Sequence, residues 1–442
     1  MASSAAPERG RNIDLEGAYR AAEERFTAAN PGSLAQYERA CESLPGGNTR
    51  TGMYYAPYPL AMARGEGAYM WDLDGHRYRD YAGDFSAGLY GHSNATVHAA
   101  VREVLADGVT FGSASAHEAK LAALVCARLP SIERVRFCNS GTEANIMALV
   151  TANAVTGRDK IMVFEGAYHG GTLSFPPGGS PINVPFDFVL APYNDIAGTN
   201  ALFDEHGDSL SAVLVETMQG AGGCIPGDAD FLALVRERAT RHGAILVFDE
   251  VMTSRLGPNG RQGALGIIPD MTTLGKYVGG GMTAGAFGGR ADIMAHYDPR
   301  QKGHFVHHGT FNNNVLTLAG GAAGLERVYT PKAATALTES GEAFRQRLNA
   351  LGQKHGLPFQ AAGYGSLMNV HFVAGEIRSH HDLAGRNLTA LDLFHLEMIA
   401  AGIYITRRGY MALSLAVSED DHDYFVSAAD QFLGTYGELI SA

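Results

Sequence analysis

Four stretches of the chain place chemically able side chains directly after short apolar runs, which is where ligands sit in open α/β sheets. Cys138-Asn139-Ser140-Gly141-Thr142-Glu143-Ala144-Asn145 follows one such run and opens a helix. The free N–H groups of a helix start, a glycine that admits close approach and two hydroxyls make a cradle for an anion such as phosphate, although an isolated Ser-Gly-Thr is more often an ordinary N-cap. In Ala244-Ile245-Leu246-Val247-Phe248-Asp249-Glu250-Val251 an apolar strand ends in two carboxylates. A buried Asp249 needs a cationic partner, since an unpaired carboxylate in low dielectric takes up a proton, and a protonated pyridine nitrogen would serve. Adjacent strand residues point to opposite faces, which weighs against Asp249 and Glu250 as a metal pair or a glycosidase pair.

The third stretch, Thr272-Thr273-Leu274-Gly275-Lys276-Tyr277-Val278-Gly279-Gly280-Gly281, sets a lone lysine in an apolar, glycine-rich context. Desolvation lowers the pKa of such an amine and makes it a nucleophile for a carbonyl, whereas a lysine taken singly is more often at the surface. The fourth, Glu165-Gly166-Ala167-Tyr168-His169-Gly170-Gly171, offers an aromatic face and an imidazole at a turn. Tyr168 as core and His169 as a structural histidine are equal alternatives when each is taken alone.

The elements that position these residues are legible from periodicity. Leu15 to Leu44 reads as helical, interrupted at Pro31-Gly32 and stopped at Pro45-Gly46-Gly47, and Gly67–Tyr81 reads as a hairpin around Asp74-Gly75. The runs 134–138, 160–164, 186–190, 212–215, 244–248 and 271–274 alternate with helix-length segments such as 230–242, predicting an α/β domain with a largely parallel sheet buried on both faces. Beyond about Leu325 a long helix over 331–356, strands near 367–373 and 410–415, and helices near 391–401 and 422–433 suggest a smaller C-terminal unit. The expected division is an N-terminal helical segment over 1–65 joining the small domain, a large α/β domain over 66–328 and a small α+β domain over 329–442.

Composition excludes several classes. The net charge of −12 and the absence of a Lys/Arg cluster argue against nucleic acid as a partner. Glycine, at 55 of 442 residues, exceeds the usual share of roughly 7% without a collagen period, so the excess serves turns and close backbone approach. Cys41, Cys126, Cys138 and Cys224 are scattered, without a CxxC, which fits a reducing compartment. Met1 to Glu8 lacks a basic region leading into an apolar one, and no apolar run reaches membrane-spanning length, so a cytoplasmic protein without membrane association is expected. Phosphate-loop, dinucleotide and zinc-protease motifs are missing, and Asp84-Phe85-Ser86-Ala87-Gly88 lacks the first glycine of a nucleophile elbow. His380-His381-Asp382 and the His304, His307, His308 group lack helical spacing or a second ligand cluster, so no metal is expected.

Taken together and in order, S-G-T-E-A-N, Y-H-G, the strand ending D-E-V, and G-K with trailing glycines resemble the class III (subgroup II) aminotransferases and the related glutamate-1-semialdehyde aminomutases. The likeness runs from about Leu44 to the C-terminus. It implies the type I pyridoxal-phosphate (aspartate aminotransferase-like) fold, a homodimer and pyridoxal 5′-phosphate as cofactor. By this resemblance Lys276 forms the Schiff base with the cofactor and moves the proton, and Asp249 keeps the pyridinium charged. Ser140, Gly141 and Thr142 cradle the phosphate, and Thr310 reaches it from the partner subunit. Tyr168 stacks on the ring, Val251 packs behind it, Glu216 stands near the 3′-oxygen, and His169 lies with the cofactor group.

Asp249 to Arg255, Gly309 to Asn314 and Gly365 to Asn369 look most like the β-phenylalanine aminotransferases within that group. That resemblance assigns substrate carboxylates to Arg50, in Pro45-Gly46-Gly47-Asn48-Thr49-Arg50, and to Arg408, ahead of Gly409, because a guanidinium holds a carboxylate in bidentate fashion. Tyr54, Phe85 and Tyr90 are candidates for an apolar pocket, with core packing an equal alternative. Thr217, Thr283 and Asn313-Asn314 depart from the mutase pattern. The implied reaction is transfer of an amino group from an aromatic β-amino acid such as (S)-β-phenylalanine to the keto acid 2-oxoglutarate or pyruvate. The alternatives are an aminomutase and a transaminase for D-arylglycines or other ω-amino acids.

Overall fold

The computed structural model describes residues 14–441, so the reading of Met1 to Glu8 lies outside the described residues. Its centre is a seven-stranded sheet built from Arg134–Cys138 (β1), Lys160–Phe164 (β2), Asp187–Ala191 (β3), Leu210–Glu216 (β4), Ile245–Asp249 (β5), Met271–Gly275 (β6) and Gly285–Gly289 (β7). The spatial order is β1-β7-β6-β5-β4-β2-β3, and β7 alone in this sheet runs antiparallel to its neighbours. The predicted parallel sheet is therefore present with strand ends shifted by a residue or two. The missed strand, β7, reads Gly-Ala-Phe-Gly-Gly and carries almost no β-propensity. It is glycine because β1 and β6 crowd it: a Cβ on Gly285 would lie 2.2 Å from the Ser140 carbonyl oxygen.

Every residue of β4 and β5 is buried, as continuous apolar runs require when helices cover both faces. One face of the sheet receives Gly141–Thr156, whose inward residues are small (Ala144, Ala148, Ala152), letting the helix lie close. The parallel strands share one direction, so Glu216, Asp249 and Thr273 stand abreast at the carboxyl edge, in register on β4, β5 and β6. Register alone brings three distant sequence positions into one row.

The N-terminal segment consists of two helices, Leu15–Ala29 and Pro31–Cys41. The break falls at Asn30, and Pro31 begins the second helix at the position where a missing N–H costs nothing. The first helix packs on Leu388–Ala400. The predicted hairpin forms from Tyr69–Asp72 and Arg77–Asp80, gains Met62–Glu66 on one edge, and on the other pairs in parallel with Ile403–Tyr404. The predicted C-terminal elements are Pro331–His355, Leu367–Phe372, Leu388–Ala400, Tyr410–Ala412 and a final helix longer than expected, Glu419–Ser441. Phe359–Tyr364, unforeseen, completes a three-stranded sheet with Leu367–Phe372 and Tyr410–Ala412.

Candidate active site

At the carboxyl end of β5 the Asp249 carboxylate is buried and held by three donors. Asn145 Nδ2 and His169 Nδ1 each lie 2.8 Å from Oδ2, and the Val251 amide donates to Oδ1 at 3.0 Å. Asn145 is itself fixed by the Thr273 hydroxyl donating to its Oδ1 at 2.6 Å. Asp249 thus presents a charge of fixed direction, and no Lys or Arg pairs with it among the described residues. Glu250 points away, accepting from the amides of Arg261 and Gln262 at 2.8 and 2.9 Å, so the two neighbouring carboxylates serve separate structures.

Lys276 directly follows β6. Its backbone is left-handed, at φ 56°, an arrangement that costs a non-glycine residue about 1–2 kcal/mol and is found where function over-determines the backbone. The Gly-Gly-Gly that follows permits contact with helix Val315–Ala323: a Cβ on Gly280 would meet the Gly320 carbonyl carbon at 2.3 Å. Lys276 Nζ donates to the Phe85 carbonyl at 2.5 Å. Burial lowers its pKa to about 8, and the nearby Asp249, Asp84 and Glu216 carboxylates offset that only in part. Because the neutral amine is the nucleophile, the rate at which apo-protein acquires the cofactor's long-wavelength absorbance is expected to climb from pH 7 to pH 8.5 and to level off above. A rate still climbing tenfold per pH unit between pH 9 and pH 10 in stopped-flow absorbance would contradict the lowered pKa.

Glu216, at the end of β4, accepts from the Tyr168 amide at 2.9 Å and the Gly220 amide at 3.0 Å. Burial raises its pKa to about 7 against the favourable charge of His169, so near neutrality it exists in both forms and can donate to an oxygen as well as accept.

Around these groups lies a cradle. Ser140 caps helix Gly141–Thr156 by accepting from the Glu143 amide at 3.1 Å, so the N-cap reading and the anion-cradle reading describe the same residue. A Cβ on Gly141 would lie 2.7 Å from Val251 Cγ1, and one on Gly170, at φ 130°, would lie 2.2 Å from Thr142 Oγ1. Only glycine permits these approaches. Tyr168 is 47% exposed although its amide is held by Glu216, so it is not a core residue and its side chain is available at the site. His169 is buried behind it, with Nε2 unpartnered. Gly141→Ala is expected to push Val251 aside and weaken cofactor binding about tenfold, measured by fluorescence titration of apo-protein.

Two guanidiniums lie near Phe85, with Arg50 Cζ 5.7 Å and Arg408 Cζ 5.5 Å from its ring centroid, and the ring stacks on Tyr410 at 6.0 Å and 14°. Arg50 also pairs with Asp84 at 2.9 Å, both about half exposed, whereas Arg408 has no ion-pair partner among the described residues. Its neighbour Arg407 is engaged bidentately by Asp392. Tyr54 rests near Tyr37, at 6.4 Å, and not on Phe85. Tyr90 corrects the sequence expectation: it is 5% exposed, packed on Tyr277 beneath the site, because Leu89-Tyr90 turns inward ahead of the helix Ala95–Leu105. Thr310 is exposed in the loop before helix Val315–Ala323, whose Asn312 accepts from Asn139 Nδ2 at 2.9 Å.

Asn145 and Thr273 were missed as functional residues, although each lies within a recognised stretch. The available signal was a lone Asn on the small-residue face of a helix, four residues after Gly141. His380 and His381 do gain a third ligand-type group, Glu165, within 4.8 Å, which the sequence did not offer. His381 Nε2 lies 2.9 Å from Glu165 Oε2.

A lysine, an acid directed by three donors, an anion cradle and a free aromatic face at the carboxyl edge of such a sheet define a pyridoxal-phosphate enzyme of the type I fold. Residues 52–433 match the family Aminotransferase class-III, and the chain belongs to it and is pyridoxal-phosphate-dependent. It is 52% identical over 96% of its length, and 97% of the relative's, to a beta-phenylalanine transaminase of Variovorax paradoxus. The crystal structure of the beta-phenylalanine aminotransferase from that organism superposes with a TM-score of 0.95, covering 96% of this chain and 98% of that one. An omega-transaminase from Sphaerobacter thermophilus is 35% identical with a TM-score of 0.85, over 92% of this chain and 99% of that one. A glutamate-1-semialdehyde aminomutase from Pseudomonas aeruginosa, at 24% identity and a TM-score of 0.87 over 95% of this chain and 98% of that one, shares the fold.

Proposed function

We propose that this aminotransferase moves the amino group of an aromatic β-amino acid, such as (S)-β-phenylalanine, to 2-oxoglutarate or pyruvate, with Arg50 and Arg408 taking the carboxylates of donor and acceptor. The observation that carries this reading is the pair of guanidiniums near the Phe85 ring, Arg50 at 5.7 Å and Arg408 at 5.5 Å, an arrangement that offers charge to a carboxylate beside an apolar surface for a phenyl group. The 52% identity to the Variovorax transaminase supports the same substrate class.

Pyridoxal phosphate, when bound, supplies a ring that withdraws electrons from the substrate's amine-bearing carbon. Ser140, Gly141 and Thr142 would hold its phosphate, Tyr168 and Val251 its two faces, and Asp249 its ring nitrogen. Glu216 and His169 complete the surrounding polar group. Lys276, neutral above pH 8, would accept the proton that leaves the substrate carbon and deliver it again at the cofactor side. Thr310, exposed on its loop, would serve the site of a second copy in a homodimer. Among the described residues no helix is long and apolar enough to cross a membrane, and four free cysteines favour the cytoplasm.

Incubating holoenzyme with (S)-β-phenylalanine and 2-oxoglutarate is expected to yield glutamate in step with keto acid consumed, and the R enantiomer is expected to react far more slowly. Amino-group exchange within one substrate, without net use of keto acid, would instead indicate an aminomutase.

A further inference from the structure

We propose that Arg255 is a positioning residue that fixes where substrate carboxylates meet the enzyme, acting through the turn Gly83–Ser86; this rests on the reading of Phe85, Arg50 and Arg408 as the substrate end. The turn is unusual. Gly83, Asp84, Phe85 and Ser86 all have left-handed backbones, at φ 51°, 43°, 52° and 78°. Three of them are not glycine, each at a cost of about 1–2 kcal/mol, so neighbouring structure must impose the conformation.

Arg255 supplies that restraint. Its side chain is fully buried and pairs with no carboxylate among the described residues. Nη1 donates to the Ser86 carbonyl at 3.3 Å, Nε donates to Ser366 Oγ at 3.2 Å, and Nη2 donates to the Leu413 carbonyl. The Arg255 carbonyl in turn accepts from the Tyr329 hydroxyl at 2.5 Å. A space that merely needed filling would hold an apolar side chain more cheaply than a buried cation lacking a counter-ion. What an apolar side chain lacks is the planar fork that reaches two separate backbone segments at once.

Those two segments are the ones that matter at the site. The turn carries Phe85 and Asp84, and the chain leading into Leu413 carries Arg408 and Tyr410. Gly83 touches this strand directly, since a Cβ there would lie 2.2 Å from the Ala412 carbonyl oxygen. Arg255 therefore sets the spacing between the Phe85 ring and the Tyr410 ring on which it stacks, and with it the distance of Arg408 from Phe85. It also holds the Phe85 carbonyl toward Lys276 Nζ.

The test compares holoenzyme with Arg255→Lys, which keeps the charge but cannot span both carbonyls, and with the milder Ser366→Ala. In Arg255→Lys the KM for β-phenylalanine and for 2-oxoglutarate is expected to rise about tenfold, in keeping with loss of a charge-assisted hydrogen bond, while cofactor content by absorbance stays unchanged. Bleaching of the cofactor by 1-phenylethylamine, which can lose the Phe85 contact but has no carboxylate to misplace, is expected to be impaired distinctly less than binding of the two carboxylate substrates. Ser366→Ala should shift the same KM values in the same direction by less. The effects of Phe85→Ala and Arg255→Lys should combine to less than their sum, since part of the arginine's effect is exerted through that ring. Unchanged KM values, equal loss with the carboxylate-free amine, or fully additive effects in the double variant would overturn the proposal. Failure of the underlying reading has its own signature: Arg408→Met with unchanged KM for both carboxylate substrates.

Discussion

Lys276→Ala is expected to lower transamination by at least about 10³-fold while leaving the fold intact, because in the proposed mechanism one amine serves both as the nucleophile that holds the cofactor and as the base that moves the proton, and positioned acid–base catalysis alone contributes about 10²–10⁴-fold. The structure explains why no neighbour substitutes. No other lysine side chain takes part in the hydrogen-bonded groups of the site, and the left-handed backbone at Lys276 aims its amine at the Phe85 carbonyl. The variant should be assayed for glutamate formation and for cofactor absorbance together. Its long-wavelength band should disappear, and far-UV circular dichroism should match the parent. Substantial turnover in this variant would remove Lys276 from the chemistry altogether.

Asp249→Asn should lower the rate by about 10²–10⁴-fold, the second largest effect. Two separate losses add here. The amide carries no charge to hold a proton on the ring nitrogen, and it cannot meet every donor now present: Asn145 Nδ2 and His169 Nδ1 converge on one oxygen and the Val251 amide on the other, so an NH2 group must face a donor on one side. An unsatisfied buried donor costs about 1–3 kcal/mol, so a modest fall in melting temperature should accompany the loss of rate. Asn145→Leu tests the same network without touching the charge. It removes a donor to Asp249 and strands the Thr273 hydroxyl, and it should reduce the rate less than Asp249→Asn does. If Asp249→Asn turned over normally with full cofactor occupancy, the acid would have no electronic part in the reaction.

These expectations draw on different kinds of legibility. The short motif stretches were readable because each joins a strand end to a turn with glycine where the backbone must come close, and such demands are local. Strand β7 was not readable, since a run of Gly-Ala-Phe-Gly-Gly owes its conformation to the two strands beside it. Tyr90 and Phe85 lie five residues apart in one aromatic stretch, and nothing local separates a core ring from a pocket ring. Phe85 sits in the left-handed turn at 83–86, to which Arg255 donates, whereas Tyr90 beyond it is buried.

The chain by itself determined the α/β class, the order of the parallel strands' motifs and the place of Asp249 and Lys276 at strand ends, because periodicity and the residue types at strand ends are properties of neighbours in sequence. Tertiary structure alone decided that Asn145 and Thr273 lock the acid, that Arg50 and Arg408 both approach Phe85, and that Arg255 bridges the segments of Ser86 and Leu413. Most of those relations join positions more than about 100 residues apart, and only the packing of the folded chain fixes such distances.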